Sequence, residues 1–63
     1  MGLQEEKLNE LRKNRTRVTI FTRNGARLTG IILGFDLHTV TLEGQGKQMC
    51  LFKHSITTVE YKK

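Results

Sequence analysis

The chain contains no proline and no tryptophan, and only one tyrosine and one cysteine. Each shortage removes a class of explanation. Without a second cysteine no internal disulfide can staple the fold. Cys50 lies in a strand-like run and reads as a small buried hydrophobe rather than a reactive thiol. Together with His38 and His54 it falls short of any dense metal-ligand spacing, so no metal site is expected. A groove for proline-rich peptides needs aromatic walls, and a chain with no Trp and one Tyr is poorly equipped for one. That weighs against a monomeric SH3-like peptide-binding module.

Long apolar runs are missing too. Nothing approaches the ~18 apolar residues of a membrane span. The opening Met-Gly-Leu-Gln-Glu-Glu has no apolar signal core. The expected location is cytoplasmic, with no membrane partner. Catalytic groupings are equally sparse. Asp36 has no second carboxylate nearby in sequence, and no Ser or Cys has a convincing base. Gly44-Gln45-Gly46 lacks the pattern and following helix of a phosphate-binding loop. The chain is therefore not expected to be an enzyme, to need a cofactor or to take a small-molecule substrate.

What is present begins with size. The 63 residues make one small domain. Such a domain draws only ~3–5 kcal/mol from its own core and usually needs a staple. With disulfide and metal absent, oligomerisation is the remaining route. The formal charge is +5, from 11 basic and 6 acidic residues, and it is spread along the chain. Repeated around an oligomer, that charge becomes a strong field for a polyanion; in a monomer it would be an ordinary solvated surface.

Taken in order, residues 4–14 read as a short helix. Leu8 and Leu11 share a face, Glu5 and Glu6 lie in the first turn, and Arg12 and Lys13 lie in the last. Asn14 is its expected stop. From Thr16 the period becomes two, with Val18 and Ile20 on one side and Thr19, Phe21 and Arg23 on the other. Asn24-Gly25 predicts a hairpin through a type I′ turn. In the returning run, Leu28 and Ile32 share a face with Gly30 and Gly34, and two glycines inside a strand predict bending or close backbone approach. Asp36-Leu37 makes a turn. Val40 and Leu42 point inward from the next strand, Gly44-Gln45-Gly46 is a loop, and strands follow over Lys47–Phe52 and Ser55–Glu60. Residues 61–63 form a short tail. One helix, then five short strands over residues 16–60, give a mainly β fold, a small and strongly bent barrel.

Phe52-Lys53-His54 breaks this alternation. An aromatic, a cation and an imidazole stand side by side where a strand stops and restarts, and Lys is rarely fully buried. Phe21, Arg27, His38, Phe52, Lys53 and His54 together supply flat and basic groups at strand ends. Such a set grips single-stranded RNA by stacking and phosphate contact. Phe21 could equally be core and His38 an ordinary turn residue, and Phe52 reads as core rather than platform.

The helix, Asn24-Gly25, Phe35-Asp36 and the run Phe52-Lys53-His54-Ser55-Ile56 resemble the Hfq family, the bacterial and occasionally archaeal branch of the Sm/LSm proteins. The likeness covers about Leu3 to Val59, and the aromatic-Lys-His run is its specific signature. The loop Gly44–Gln48 looks like the Gram-positive form. The resemblance implies an Sm-like (SH3-like) fold, a helix on a five-stranded bent sheet, closed into a hexameric ring by pairing of the fourth and fifth strands across subunits. It also implies an RNA chaperone that pairs uridine-rich small RNA with adenine-rich messenger RNA; a generic Sm-like ring scaffold without annealing activity is the alternative. By position, the uridine face would use Gln4, Leu37, His38, Lys53 and His54. The opposite, distal face would use Phe21, Gly25, Ala26, Arg27, Leu28, Thr29 and Gln48. The rim would use Asn9, Arg12, Lys13 and Arg15. Ala26 is smaller than the residue usual beside the distal pocket. Functions that need the long C-terminal tail of some relatives are not expected.

His38 stands where the family usually has a stacking Phe or Tyr. A protonated imidazole is the better stacking and hydrogen-bonding partner, and imidazoles charge as the solution becomes weakly acidic. Oligo-U binding should therefore strengthen on acidification, read by fluorescence titration at two pH values; equal affinities would refute this role.

Overall fold

The structure is a computed structural model that describes residues 5–62. Gln4, part of both the expected helix and the expected uridine face, lies outside the described residues. Helix α1 runs Glu5–Lys13 and buries Leu8 and Leu11, its one apolar stripe. It stops before Asn14, as expected, but the left-handed conformation falls one residue later. Asn14 N–H still donates to the Glu10 carbonyl at 3.0 Å, so helical bonding continues through it. The left-handed residue is Arg15, with φ 51°. Arg15 N–H then bonds the Arg12 carbonyl at 3.2 Å and Thr16 N–H the Leu11 carbonyl at 3.1 Å, which is a Schellman closure.

Five antiparallel strands follow: β1 (Arg17–Thr22), β2 (Arg27–Phe35), β3 (Thr39–Gly44), β4 (Lys47–Phe52) and β5 (Ile56–Tyr61). They form one bent sheet in the order β4-β3-β2-β1-β5. Val18, Ile20, Ile32, Val40, Leu42 and Ile56 join the two helix leucines in the core, as the alternation predicts. β4 adds Met49 and Leu51 to the margin of that core, which turns Cys50 outward. Cys50 is exposed, contrary to the expectation that it is buried. In Met-Cys-Leu all three residues are apolar, so the sequence leaves the phase of the strand open.

The turns exchange roles. At Asn24-Gly25 only Gly25 has a positive φ, 89°. Thr22 N–H bonds the Ala26 carbonyl at 3.0 Å, and Gly25 N–H bonds the Thr22 carbonyl at 3.1 Å. The result is a three-residue hairpin loop with glycine in the left-handed position, not a type I′ turn. The I′ signature appears at Gln45-Gly46 instead. Their φ values are 54° and 75°, and the flanking residues Gly44 and Lys47 pair.

Bending has two sources. A Cβ on Gly30 would collide with the Glu43 carbonyl, and one on Gly44 with the Thr29 carbonyl, so β2 and β3 approach through both glycines. Further along, the β2–β3 register shifts between Ile32 and Gly34. This bulge leaves Leu33 exposed and Phe35 packed on the core. Gly34 therefore leaves the face of Ile32, another departure from simple alternation.

β4 and β5 are consecutive in sequence but occupy opposite edges of the sheet. A single 3₁₀ turn, Lys53–Ser55, joins them. Lys53 N–H bonds the His38 carbonyl at 2.8 Å and Arg23 N–H bonds the Ser55 carbonyl at 2.9 Å. The crossing is thus pinned to the β2–β3 turn at one end and to the β1 hairpin at the other.

Gly30→Ala should cost about 1–3 kcal/mol by forcing backbone apart. Gly34→Ala, where a Cβ meets nothing within 4 Å, should be neutral or stabilising by up to about 1 kcal/mol. Urea unfolding of the two variants measures the contrast; equal losses would refute the close-approach account.

Candidate nucleic-acid interface

Asp36 organises the first group of candidate residues. Its Oδ1 accepts from His38 N–H at 2.8 Å, from Thr39 N–H at 2.7 Å and from the Thr39 hydroxyl at 2.9 Å. The hydrogen bonds from the His38 amide, then from the Thr39 amide and hydroxyl, hold its carboxyl below the usual carboxylate range. This aspartate-centred turn lifts Leu37 and His38 into solvent, Leu37 with 72% of its surface exposed. Because the His38 carbonyl receives the Lys53 amide, the turn and the crossing are one unit. Leu37, His38, Lys53 and His54 are therefore brought together.

Lys53 is not simply displayed to solvent, as the sequence suggests. Its side chain is 15% exposed, and Nζ lies 3.4 Å from Glu5 Oε2. It also lies 5.5 Å from the Phe35 ring centroid. The helix N-terminus and the β2 aromatic hold the ammonium in place. Phe52 departs from its core reading as well. It is 56% exposed, and its ring stacks on His54 at 5.8 Å between centroids. A cation, two imidazoles and an open phenyl ring thus share one corner.

Sequence reasoning passed over Glu5 and the positioning role of Asp36. The Asp-x-x-Thr spacing is a readable signal for the second, since Asp bonds backbone two or three residues on. Nothing local signals the first, because Glu5 and Lys53 lie at opposite ends of the chain.

The second group lies around the β1–β2 hairpin. Phe21 is half-buried and pairs with Arg27, as Ile20 does with Leu28 and Thr19 with Thr29. Gly25 and Ala26 form the hairpin end. Arg27, Leu28 and Thr29 line a groove with Gln45, Lys47 and Met49. Gln48 pairs with Glu43 and, like Cys50, lies on the outward side of β4, so one chain does not bring it into that groove.

The third group lies along the exposed side of α1. Arg12 donates to Asn9 Oδ1 from Nε at 3.2 Å and from Nη2 at 2.6 Å. Lys13 lines a surface groove with Asn9 and Glu10. Arg15 holds the left-handed position where glycine is preferred, a conformation that costs an L-residue about 1–2 kcal/mol. A glycine there would relieve that strain but remove a cation.

An N-terminal helix on a strongly bent sheet of five antiparallel strands, with a Lys-His step joining its two edges, defines the Sm-like class. The family described as Hfq protein matches residues 3–63. The RNA-binding protein Hfq of Geobacillus sp. (strain WCH70) is 52% identical over 58 residues, 92% of this chain and 78% of the relative. That of Oceanobacillus iheyensis is 48% identical over the same shares. A crystal structure of the pleiotropic translational regulator Hfq superposes with a TM-score of 0.88 at 37% identity, covering 94% of this chain and 89% of the other. An Hfq protein from Anabaena sp. gives 0.84 at 26% identity, covering 92% and 93%. The chain belongs to the Hfq family.

The depressed Asp36 carboxyl makes its turn pH-sensitive. A group with a lowered folded-state pKa adds stability above its unfolded value, and that stability is lost as pH falls through the folded value. The His38 and Thr39 amide resonances should therefore shift together below the ordinary carboxylate range, followed by NMR. Asp36→Asn should abolish the coupled transition; its persistence in that variant would exclude Asp36 as the cause.

Proposed function

We propose that the chain binds single-stranded RNA as a cytoplasmic homohexameric ring and promotes pairing of uridine-rich small RNA with adenine-rich messenger RNA. The observation that carries this reading is the corner where His38, Phe52, Lys53 and His54 meet between two sheet edges. Pairing β4 of one subunit with β5 of the next would satisfy both edges and repeat that corner around a central pore. Family membership supports the same assembly.

In this reading, no bond is made or broken. Bases stack on flat side chains at about 1–3 kcal/mol each, and cations meet phosphates. The ammonium of Lys53, held by Glu5 and Phe35, offers a fixed donor to a uracil carbonyl or phosphate. His38 and His54 supply donors to base edges or the 2′-hydroxyl. Gln4 would complete this pocket. Phe21 with residues 25–29 and Gln48 of an adjoining subunit would receive the adenine-rich strand. Asn9, Arg12, Lys13 and Arg15 would contact RNA outside both faces. Holding two RNAs on one scaffold raises their local concentration, and that raises the pairing rate.

Native mass spectrometry with short oligo-U and oligo-A tests the reading. Six subunits, each oligonucleotide bound separately and both bound together, are the expected masses. Lys53→Ala should lose oligo-U by tenfold or more while keeping oligo-A. An annealing assay should show a rate gain; tight binding with none would leave a scaffold. A monomer that ignores oligo-U would overturn the proposal.

A further inference from the structure

The outward face of β1, β2 and β5 carries polar groups that none of the three proposed surfaces fully uses. Thr19 lies opposite Thr29 on one side and opposite Glu60 on the other. The two threonine hydroxyls are 3.3 Å apart, half-buried. Arg17, Thr19, Thr29, Glu60, Tyr61 and Lys62 line one open groove at this place. Arg17, Glu60 and Lys62 are all exposed. The ion pairs among the described residues are Lys7–Glu10 and Lys53–Glu5, so neither cation of the groove is neutralised by its carboxylate. Tyr61 borders the groove with 36% of its surface exposed, and Lys7 Nζ lies 5.6 Å from its ring centroid.

This combination narrows the ligand. A plain polyanion would gain from Arg17 and Lys62 but would meet the Glu60 carboxylate. A plain cation would meet the reverse. A nucleotide answers both, because its phosphate and its base present different chemistry a few ångströms apart. The base edge then matters. Glu60 accepts hydrogen bonds only, so it favours an exocyclic amino group such as cytosine N4 or adenine N6. Uracil has no exocyclic amino group, and its one edge donor, N3–H, lies between two carbonyls that oppose the carboxylate. The threonine hydroxyls can donate or accept toward ribose or base, and the Tyr61 ring offers an aromatic surface at the groove's end.

Location supplies the second argument. Thr29 belongs both to this groove and to the proposed distal face. Arg17 follows Arg15 of the proposed rim by two residues. The groove therefore lies between those two surfaces, on the outward side of the same strands. A strand that occupies the distal face and continues toward the rim would cross it.

We propose that this groove is a further nucleotide site for single-stranded RNA, selective for a base with an exocyclic amino group. Glu60 is its base acceptor, Arg17 and Lys62 are its phosphate contacts and Tyr61 borders the base. The inference rests on the RNA-binding reading given above. It assigns to Glu60 a role in specificity, and to Arg17 and Lys62 a role in affinity irrespective of base.

Fluorescence anisotropy with the full chain tests the site. The probes are a short oligo-A tract, the same tract with a cytidine extension and the same tract with a uridine extension. The cytidine-extended probe should bind about threefold to tenfold tighter than the uridine-extended one. Glu60→Gln should remove that preference, because the amide presents a donor as well as an acceptor. Arg17→Ala should weaken both extended probes alike and lower their salt dependence. Neither variant should change binding of the unextended tract. Normal binding of that tract with no effect of the extension's base, or a preference that survives Glu60→Gln, would overturn this site alone. Failure of the unextended tract to bind would overturn it together with the distal-face reading.

Discussion

Three residues must carry the chain from one edge of the sheet to the other. β4 ends at Phe52, β5 begins at Ile56, and three strands lie between them in the sheet. A flat sheet would make that impossible, since neighbouring strands lie about 4.8 Å apart and three residues reach about 10 Å. The sheet therefore has to curl until its edges approach. Gly30 and Gly44 permit the close β2–β3 approach, and the bulge before Gly34 adds a bend. The crossing is then fixed by hydrogen bonds to His38 and Arg23 at its two ends. The need for a tight crossing and the need for curvature are one constraint.

That constraint also places the candidate chemistry. Side chains on a 3₁₀ turn between two strands cannot all point into the core, and the turn buries none of its residues. Backbone geometry places Lys53 and His54 there, and Glu5 and Phe35 then hold the Lys53 ammonium. Around them the charges are arranged in opposition. Glu5 meets Lys53, and Asp36 fixes the backbone of His38. The corner is an array of positioned donors and rings between two carboxylates, not a bare positive patch. Such a site favours ligands with both carbonyl acceptors and phosphate, and bulk charge alone would discriminate poorly among polyanions.

Where the pattern was strong and local, it was legible. The strand Lys47–Phe52 has the boundaries expected for it, and Leu8, Leu11, Val18, Ile20, Val40 and Leu42 are all inside. The turn at Asn24-Gly25 was misassigned because Asn-Gly favours two geometries. Loop length decides between them, and length depends on which residues pair across the hairpin. The exposure of Cys50 and Phe52 was hidden because β4 is apolar on both sides. That ambiguity has a physical meaning in itself: an edge strand that is to be covered by another chain has no reason to alternate cleanly. The Lys53–Glu5 pair spans almost the whole described sequence, and only the docking of α1 brings its partners together. Pattern reasoning has no access to such a contact.

The same edges bear on stability. Among the described residues eight buried apolar side chains form the core, a small number for the nearly sixty residues it must order. Meanwhile Phe52 and Cys50 stand exposed on β4, with Tyr61 at the end of β5. An isolated subunit would leave two strand edges unpaired, the condition that favours uncontrolled pairing. Head-to-tail pairing of unlike edges offers a closed solution only if the rotation between subunits returns to its start. The strong curl of the sheet turns its two edges out of parallel and so sets the angle at which a neighbour must dock. The curvature that lets three residues cross the sheet is thus the feature that would decide how many subunits complete the ring.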